Sequence, residues 1–391
     1  MGIACIYPVM ENIQKFDTTF IRQKLHKYAE LSGKENNTAE LIQEWLRKLG
    51  CKEIIENIGG KSLVAVFDSG KAGRNVMLRA ELDALPIQEV NDFSYKSVNN
   101  GVSHKCGHDG HMVILLAVAE WLNGNLNRLN GKAYLLFQAA EETAGGAKAV
   151  LADSRFKLLA PDYIFALHNL PGFKKHSIIM RKGVFAAASM GMKFWFTGRT
   201  SHAGHPENGI NPLDAMQSLV TGLSTLTQRI CGFPEHGLVT VIHLRLGEEA
   251  FGTSPGEGVV MATLRSADDE HLQLMTKSAE ELAEGLAEMY GLQISIERVE
   301  EFAATINDGD AYNHFEQAAV RSGLEIIRPE KLFSWSEDFS FYGREYRTCF
   351  WGLGSGEAQP QLHNPDYDFP DEIIASGKEI FIRLLEEVLQ I

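Results

Sequence analysis

No stretch of this 391-residue chain approaches the roughly 20 consecutive apolar residues that a membrane span needs, so no membrane partner is expected. Cysteine is scarce. Five residues, an odd number, scattered from Cys5 to Cys349 do not make a disulfide framework, and a reducing cytoplasm suits them best. Positive charge is also short: 37 Lys and Arg against 51 Asp and Glu leave a net charge of −14. That balance argues against nucleic acid or an anionic membrane surface as a partner. The opening Met1-Gly2-Ile3-Ala4-Cys5-Ile6-Tyr7-Pro8 lacks the basic region and apolar core of a signal peptide. Ile6, where Ser or Thr is needed, makes it a poor acylation site. Internal repeats and low-complexity tracts are missing as well.

What remains is ordinary for a globular protein: 45% hydrophobic and 23% charged residues. The length exceeds a usual single domain, so two are expected, each with its own core.

The densest chemistry lies in His104-Lys105-Cys106-Gly107-His108-Asp109-Gly110-His111. Three histidines, a cysteine and an aspartate share eight residues, and an apolar Ala/Leu-rich run from Met112 to Leu122 follows. That run predicts a buried helix with the polar cluster at its N-terminus. Thiolate with imidazole suits zinc or another late first-row ion. The plainer alternative is a helix start that Asp109 caps.

In chain order, residues 18–49 predict two amphipathic helices broken near Ser32-Gly33. Residues 63–67 and 76–80 predict strands, the second leading into Glu81-Leu82-Asp83. Strands over 132–138 and 163–167 run into Glu141-Glu142 and His168-Asn169. Acids and histidine at repeated strand ends, with helices between, describe an α/β enzyme whose mixed sheet carries helices on both faces. Between residues 186 and 300 the pattern changes to β-α-β-β-α-β, the order of a ferredoxin-like α+β unit inserted whole. Afterwards the first pattern resumes. A helix start at 336–339, a strand at 349–352, a loop with Leu362-His363-Asn364-Pro365 and a helix over 372–389 close the chain.

A hydrolytic metal site needs ligands, an open position and a base. Cys106, His108, Glu142, His168 and His363 can supply ligands, and Glu141 the base. Five ligands with a sulfur exceed one tetrahedral ion, so two divalent ions sharing ligands are expected.

Cys106-Gly107-His108-Asp109, Glu141-Glu142, Ala166-Leu167-His168-Asn169 and Leu362-His363-Asn364-Pro365 closely resemble a family of metallopeptidase-like amidohydrolases. It is the branch of the aminoacylase and glutamate-carboxypeptidase superfamily that holds hippurate hydrolases and indole-acetyl-amino-acid hydrolases. The resemblance runs from His26 to the C-terminal helix. It implies a di-metal catalytic domain, residues 1–185 and 301–391, and an inserted lid and dimerisation domain, residues 186–300. It places Cys106, His108, Glu142, His168 and His363 on the metal ligands, with Zn, Mn, Co or Ni as the ions, and Glu141 on the general base. His202 falls on a lid histidine that steadies the oxyanion, and Arg265 on an arginine for the substrate carboxylate. A homodimer through the inserted domain is implied too.

The chain departs from the family pattern at Lys105, where alanine is usual, at Glu81, where aspartate is common, and at Ala29 and Ala139, where prolines stand. Lys105 is expected either to weaken metal binding or to favour an acidic substrate.

The expected reaction is metal-assisted hydrolysis of an N-acyl amino acid or a similar carboxylate-bearing amide, a small-molecule substrate. Two alternatives stand beside it: a thiol hydrolase with Cys106 activated by His108, and a binding protein that kept the fold without turnover.

Overall fold

The computed structural model describes residues 16–230 and 237–390; residues 1–8, read above for targeting, lie outside them. The chain forms two compact units. One holds the chain up to Phe185 with Ile306–Glu330 and Phe341–Ile391; the other holds Ala186–Thr305 and Lys331–Ser340. Residues 301–305 and 331–340, placed with the first domain by the sequence pattern, therefore belong to the second unit. Hydrogen bonds explain the later segment: Ala187 N–H donates to the carbonyls of Phe333 and Trp335.

An eight-stranded mixed sheet organises the first unit, in the order Glu53–Ile58, Ser62–Asp68, Gly131–Gln138, Arg74–Glu81, Tyr163–Pro171, Arg347–Gly356, Ile178–Ile179, Ile326–Ile327. The Arg74–Glu81 strand runs parallel to both its neighbours, and Tyr163–Pro171 runs parallel to Arg347–Gly356. Alternate residues share one core with the long helices: Val76, Leu78 and Ala80, then Ala133, Leu135 and Phe137, then Tyr163, Phe165 and Leu167. The intervening Met77, Leu136 and Ile164 are buried as well. Burial on both faces is why these strands read as continuous apolar runs.

Because the three central strands are parallel, their C-terminal ends share one edge of the sheet. Asp83, Glu141, Glu142 and the end of Tyr163–Pro171 follow from that. The His108–Asn125 helix starts there too, and it is buried along nearly its whole length. Gly107 precedes it at φ +91°, where a β-carbon would lie 2.5 Å from Asn169 Oδ1. Only glycine lets the helix begin this close to the strand.

The second unit is an antiparallel four-stranded sheet, ordered Gly237–Leu246, Glu257–Ser266, Ala188–Thr197, Gln293–Phe302. Helices Leu213–Ser224 and Asp269–Met289 contribute buried Leu219, Leu223, Met275 and Ala279, and the sheet buried Phe194, Val260 and Leu264. Among the described residues no helix is long and apolar enough to cross a membrane.

Candidate metal centre

The five residues that sequence reading named as ligands converge in the first unit. Donor atoms of Cys106, His108 and His168 lie within 4.8 Å of one another, as do those of Cys106, Glu142 and His363, and those of His108, Glu141 and Glu142. Cys106 Sγ is 3.3 Å from His168 Nε2. Glu142 Oε1 is 3.9 Å from His108 Nε2 and 3.9 Å from His363 Nε2. Those separations are too long for hydrogen bonds. They fall inside the roughly 4.2 Å that two donors, each about 2.1 Å from one ion, can span.

Each buried imidazole is oriented from behind. His108 Nδ1 donates to the backbone oxygen of Asp83 at 2.8 Å, and His168 Nδ1 to the backbone oxygen of Asn169 at 2.9 Å. A carbonyl only accepts, so both rings turn Nε2 toward the other donors. The Asp83 carboxylate accepts from Ser32 Oγ at 2.7 Å and from the Glu142 N–H at 3.0 Å. One aspartate thus orients two of the five. His111 donates to Glu81 at 2.6 Å and accepts the N–H of Asn169 at 3.2 Å, which fixes the segment beside His168. Glu81 is held in turn by Arg79.

The electrostatics fit a cation. Burial alone would lower the pKa of His108. The hydrogen bond to Asp83 and the charges of Glu81, Asp83 and Glu142 outweigh it and raise the value to about 10. Its Nε2 is buried with no hydrogen-bond partner, facing carboxylates. His168 goes the other way: burial, then the neighbouring His111 and His108, hold it well below the usual histidine range. A neutral imidazole beside a thiol and carboxylates is a metal-binding donor set.

Other readings need correction. Asp109 lies inside the helix and is not its cap residue, which is Gly107. Asp109 Oδ1 does accept the first-turn N–H of Gly110 at 3.0 Å, while its Oδ2 meets His26 Nδ1 at 2.8 Å and Arg22 at 3.3 Å. Lys105 presents no loose charge to the site, because its ammonium is buried against Glu89, Asn91 and the Tyr367 carbonyl. This removes the reason for expecting weakened metal binding or an acidic substrate. His202 and Arg265 lie in the second unit. His202 is exposed on a two-residue strand, with Nδ1 accepting the Gly204 N–H at 3.0 Å. Arg265 Nη1 donates to the Ser334 carbonyl at 2.8 Å and to Ser336 Oγ at 3.2 Å.

Residues 77–387 match the profile of peptidase family M20/M25/M40. The chain belongs to this family. It is 31% identical over 373 residues to a hippurate hydrolase of Campylobacter jejuni, covering 95% of this chain and 96% of that one. It is 28% identical to an N-acetylcysteine deacetylase of Bacillus subtilis, with 95% and 96% covered. A solved structure of a dinuclear metal-binding M20 peptidase from Bacillus subtilis superposes with a TM-score of 0.80 at 26% identity, over 95% of this chain and 97% of that chain. Membership makes the chain a metal-dependent hydrolase of amide bonds. The M20 fold accounts for its mixed α/β architecture.

Proposed function

We propose that this M20 hydrolase cleaves the amide bond of an N-acyl amino acid, or of a related amide with a free carboxylate, using two divalent ions held by Cys106, His108, Glu142, His168 and His363. The observation that carries the reading is the position of Glu142 Oε1, 3.9 Å from Nε2 of both His108 and His363. The relatives named hippurate hydrolase and N-acetylcysteine deacetylase support the substrate class. Mixed thiolate, imidazole and carboxylate donors suit Zn, Mn, Co or Ni.

Divalent ions held by these residues would supply a lowered pKa for a bound water and polarisation of the amide carbonyl. Glu141, buried beside Glu142, takes a proton from water as the water oxygen bonds to the amide carbon. It returns the proton to the amine nitrogen as the carbon–nitrogen bond breaks, leaving a carboxylic acid and an amine. His202 is assigned to the oxyanion. With Nδ1 accepting a backbone N–H, its ring proton sits on Nε2 and is available to donate. Arg265, anchored through Nη1, offers the rest of its fork to the substrate carboxylate.

The second unit is assigned the lid and dimerisation roles. Support comes from its edge strand Gly237–Leu246, where Leu238, Ile242 and Leu244 are exposed. Cytoplasmic residence is supported by Cys51, Cys106 and Cys349, all buried and none in a disulfide.

The test is elemental analysis of purified protein combined with a panel of acyl amino acids, before and after chelation. Two equivalents of metal, with turnover that chelation stops and divalent ion restores, are expected. Turnover that survives complete metal removal would instead support the Cys106 thiol mechanism. Tight binding of acyl amino acids without product would indicate a binding protein.

A further inference from the structure

Lys105 lies directly before Cys106, and its side chain is wholly buried. All three ammonium protons have acceptors: Glu89 Oε1 at 2.5 Å, the Tyr367 carbonyl at 2.7 Å and Asn91 Oδ1 at 2.9 Å. Its own backbone carbonyl accepts the His363 N–H at 2.8 Å. One residue therefore grips the 363–367 loop at both ends. Tyr367 extends the connection, since its phenol oxygen accepts from Asn169 Nδ2 at 2.6 Å, beside His168.

The loop needs such a grip. His363 has φ +67°, a left-handed conformation that a β-carbon disfavours and that persists only where the surroundings impose it. Its imidazole is half-exposed, so packing around the ring does little to fix it. Further bonds line the same seam: Val90 N–H to the Pro365 carbonyl at 3.2 Å, and Asn91 Nδ2 to the Asp366 carbonyl at 2.9 Å. Asn91 thus spans Lys105 and the loop. Glu89, the counter-charge, is itself fixed by His26 at 2.9 Å and the Ser97 N–H at 2.9 Å.

We propose that Lys105 is a positioning residue that holds the His363 imidazole opposite Glu142 and so sets the affinity of the centre for the ion that His363 ligates. The proposal rests on the reading of His363 as a ligand. An apolar side chain of the same length would leave the Tyr367 carbonyl without its buried donor and loosen the far end of the loop. The bonds from Val90 to Pro365, from Asn91 to Asp366 and from Asn169 to the Tyr367 phenol would remain, without the charged anchor that ties the loop back to the residue preceding Cys106.

The test is a double-mutant cycle read by calorimetric titration of metal-free protein with Zn2+ and with Mn2+, against a competing chelator. Wild type, Lys105→Met, His363→Ala and the combined variant are compared. Lys105→Met is expected to weaken one of two sites about 10- to 100-fold, the usual cost of losing an outer-shell partner, and to leave the other unchanged. In the His363→Ala background the same replacement is expected to have no further effect. A combined variant weakened by the same further factor would show that Lys105 acts on the fold generally and would overturn the proposal. So would unchanged affinity in Lys105→Met. If that variant does not fold, Lys105→Met with Glu89→Gln removes the ammonium together with its counter-charge and is read in the same way. A wild-type chain that binds neither ion would sink the metal-centre reading itself, whatever the variants do.

Discussion

The imidazole of His108 donates its Nδ1 proton to the backbone oxygen of Asp83, 2.8 Å away, while the carboxylate of the same aspartate accepts the Glu142 N–H at 3.0 Å. Two proposed ligands are thus oriented by one residue outside the proposed ligand set. Asp83→Asn keeps the shape but gives the side chain an amide donor where every neighbour donates. Metal affinity is expected to fall about 10- to 100-fold with the fold retained, as measured by competition with a chelator. Wild-type affinity in that variant would remove Asp83 from this role.

Glu141 and Glu142 are adjacent, and Glu142 Oε1 lies 3.9 Å from Nε2 of both His108 and His363. Separate roles predict separate losses. Glu141→Gln should keep its metal content and melting behaviour while turnover falls at least about 100-fold, the usual contribution of a general base. Glu142→Gln should lose metal. Stopped-assay rates alongside elemental analysis distinguish the two, and near-normal turnover in Glu141→Gln would reassign the base.

How much of this was legible depended on how far apart the partners lie in sequence. The ligand types stood out because cysteine, histidine and paired acids are rare at the ends of apolar runs, and the helix from His108 announced itself by composition. Lys105 was misread because its partners are 14, 16 and 262 residues away. Asp109 reads as a cap, and one of its oxygens does accept the Gly110 N–H, but its other oxygen bonds Arg22 and His26 of a distant helix, which no local pattern contains. Glu53–Ile58 escaped notice because it is an edge strand without regular alternation of burial. Tyr163–Pro171 continues through His168 and Asn169, where pairing with Arg347–Gly356 overrides the polar residues. The sheet order, with Gly131–Gln138 beside Ser62–Asp68, is a matter of tertiary pairing that no local pattern contains.

The buried pair of His26 and Glu89 makes stability depend on pH in a stated direction. Burial alone would lower the pKa of His26; hydrogen bonds to Asp109 and Glu89 outweigh it and raise the value to about 9. Burial alone would raise Glu89, but His26 and Lys105 bring it down to about 2. A raised histidine stabilises fully below its unfolded value near 6.5 and loses that contribution as pH climbs through 9. A depressed glutamate stabilises above about 4.5 and loses its contribution as pH falls through 2. Metal-free protein should therefore be most stable between about pH 4.5 and 6.5 as far as this pair is concerned. His26 should contribute on the order of 3 kcal/mol that disappears toward pH 9. Denaturant melts across pH 6 to 9 should show the decline, and a His26→Gln variant should show a flatter profile. Parallel profiles would mean that His26 is not charged in the folded chain.

The edge strand Gly237–Leu246 presents Leu238, Ile242 and Leu244, exposed by 51%, 61% and 49%, beside unpaired backbone groups. Natural edges of this kind are blunted with charge or covered by a partner, and exposed apolar side chains along this one argue for covering. Replacing Ile242, at the register shift in this strand, by Glu puts a charge on that edge without touching the core, so folding stability should stay within about 0.5 kcal/mol. If a second copy covers this edge, the variant should run as a monomer by light scattering at concentrations where wild type has the mass of a dimer. A variant that keeps the wild-type dimeric mass would place the interface elsewhere, and a wild-type chain that is itself monomeric would remove the dimerisation role from the second unit.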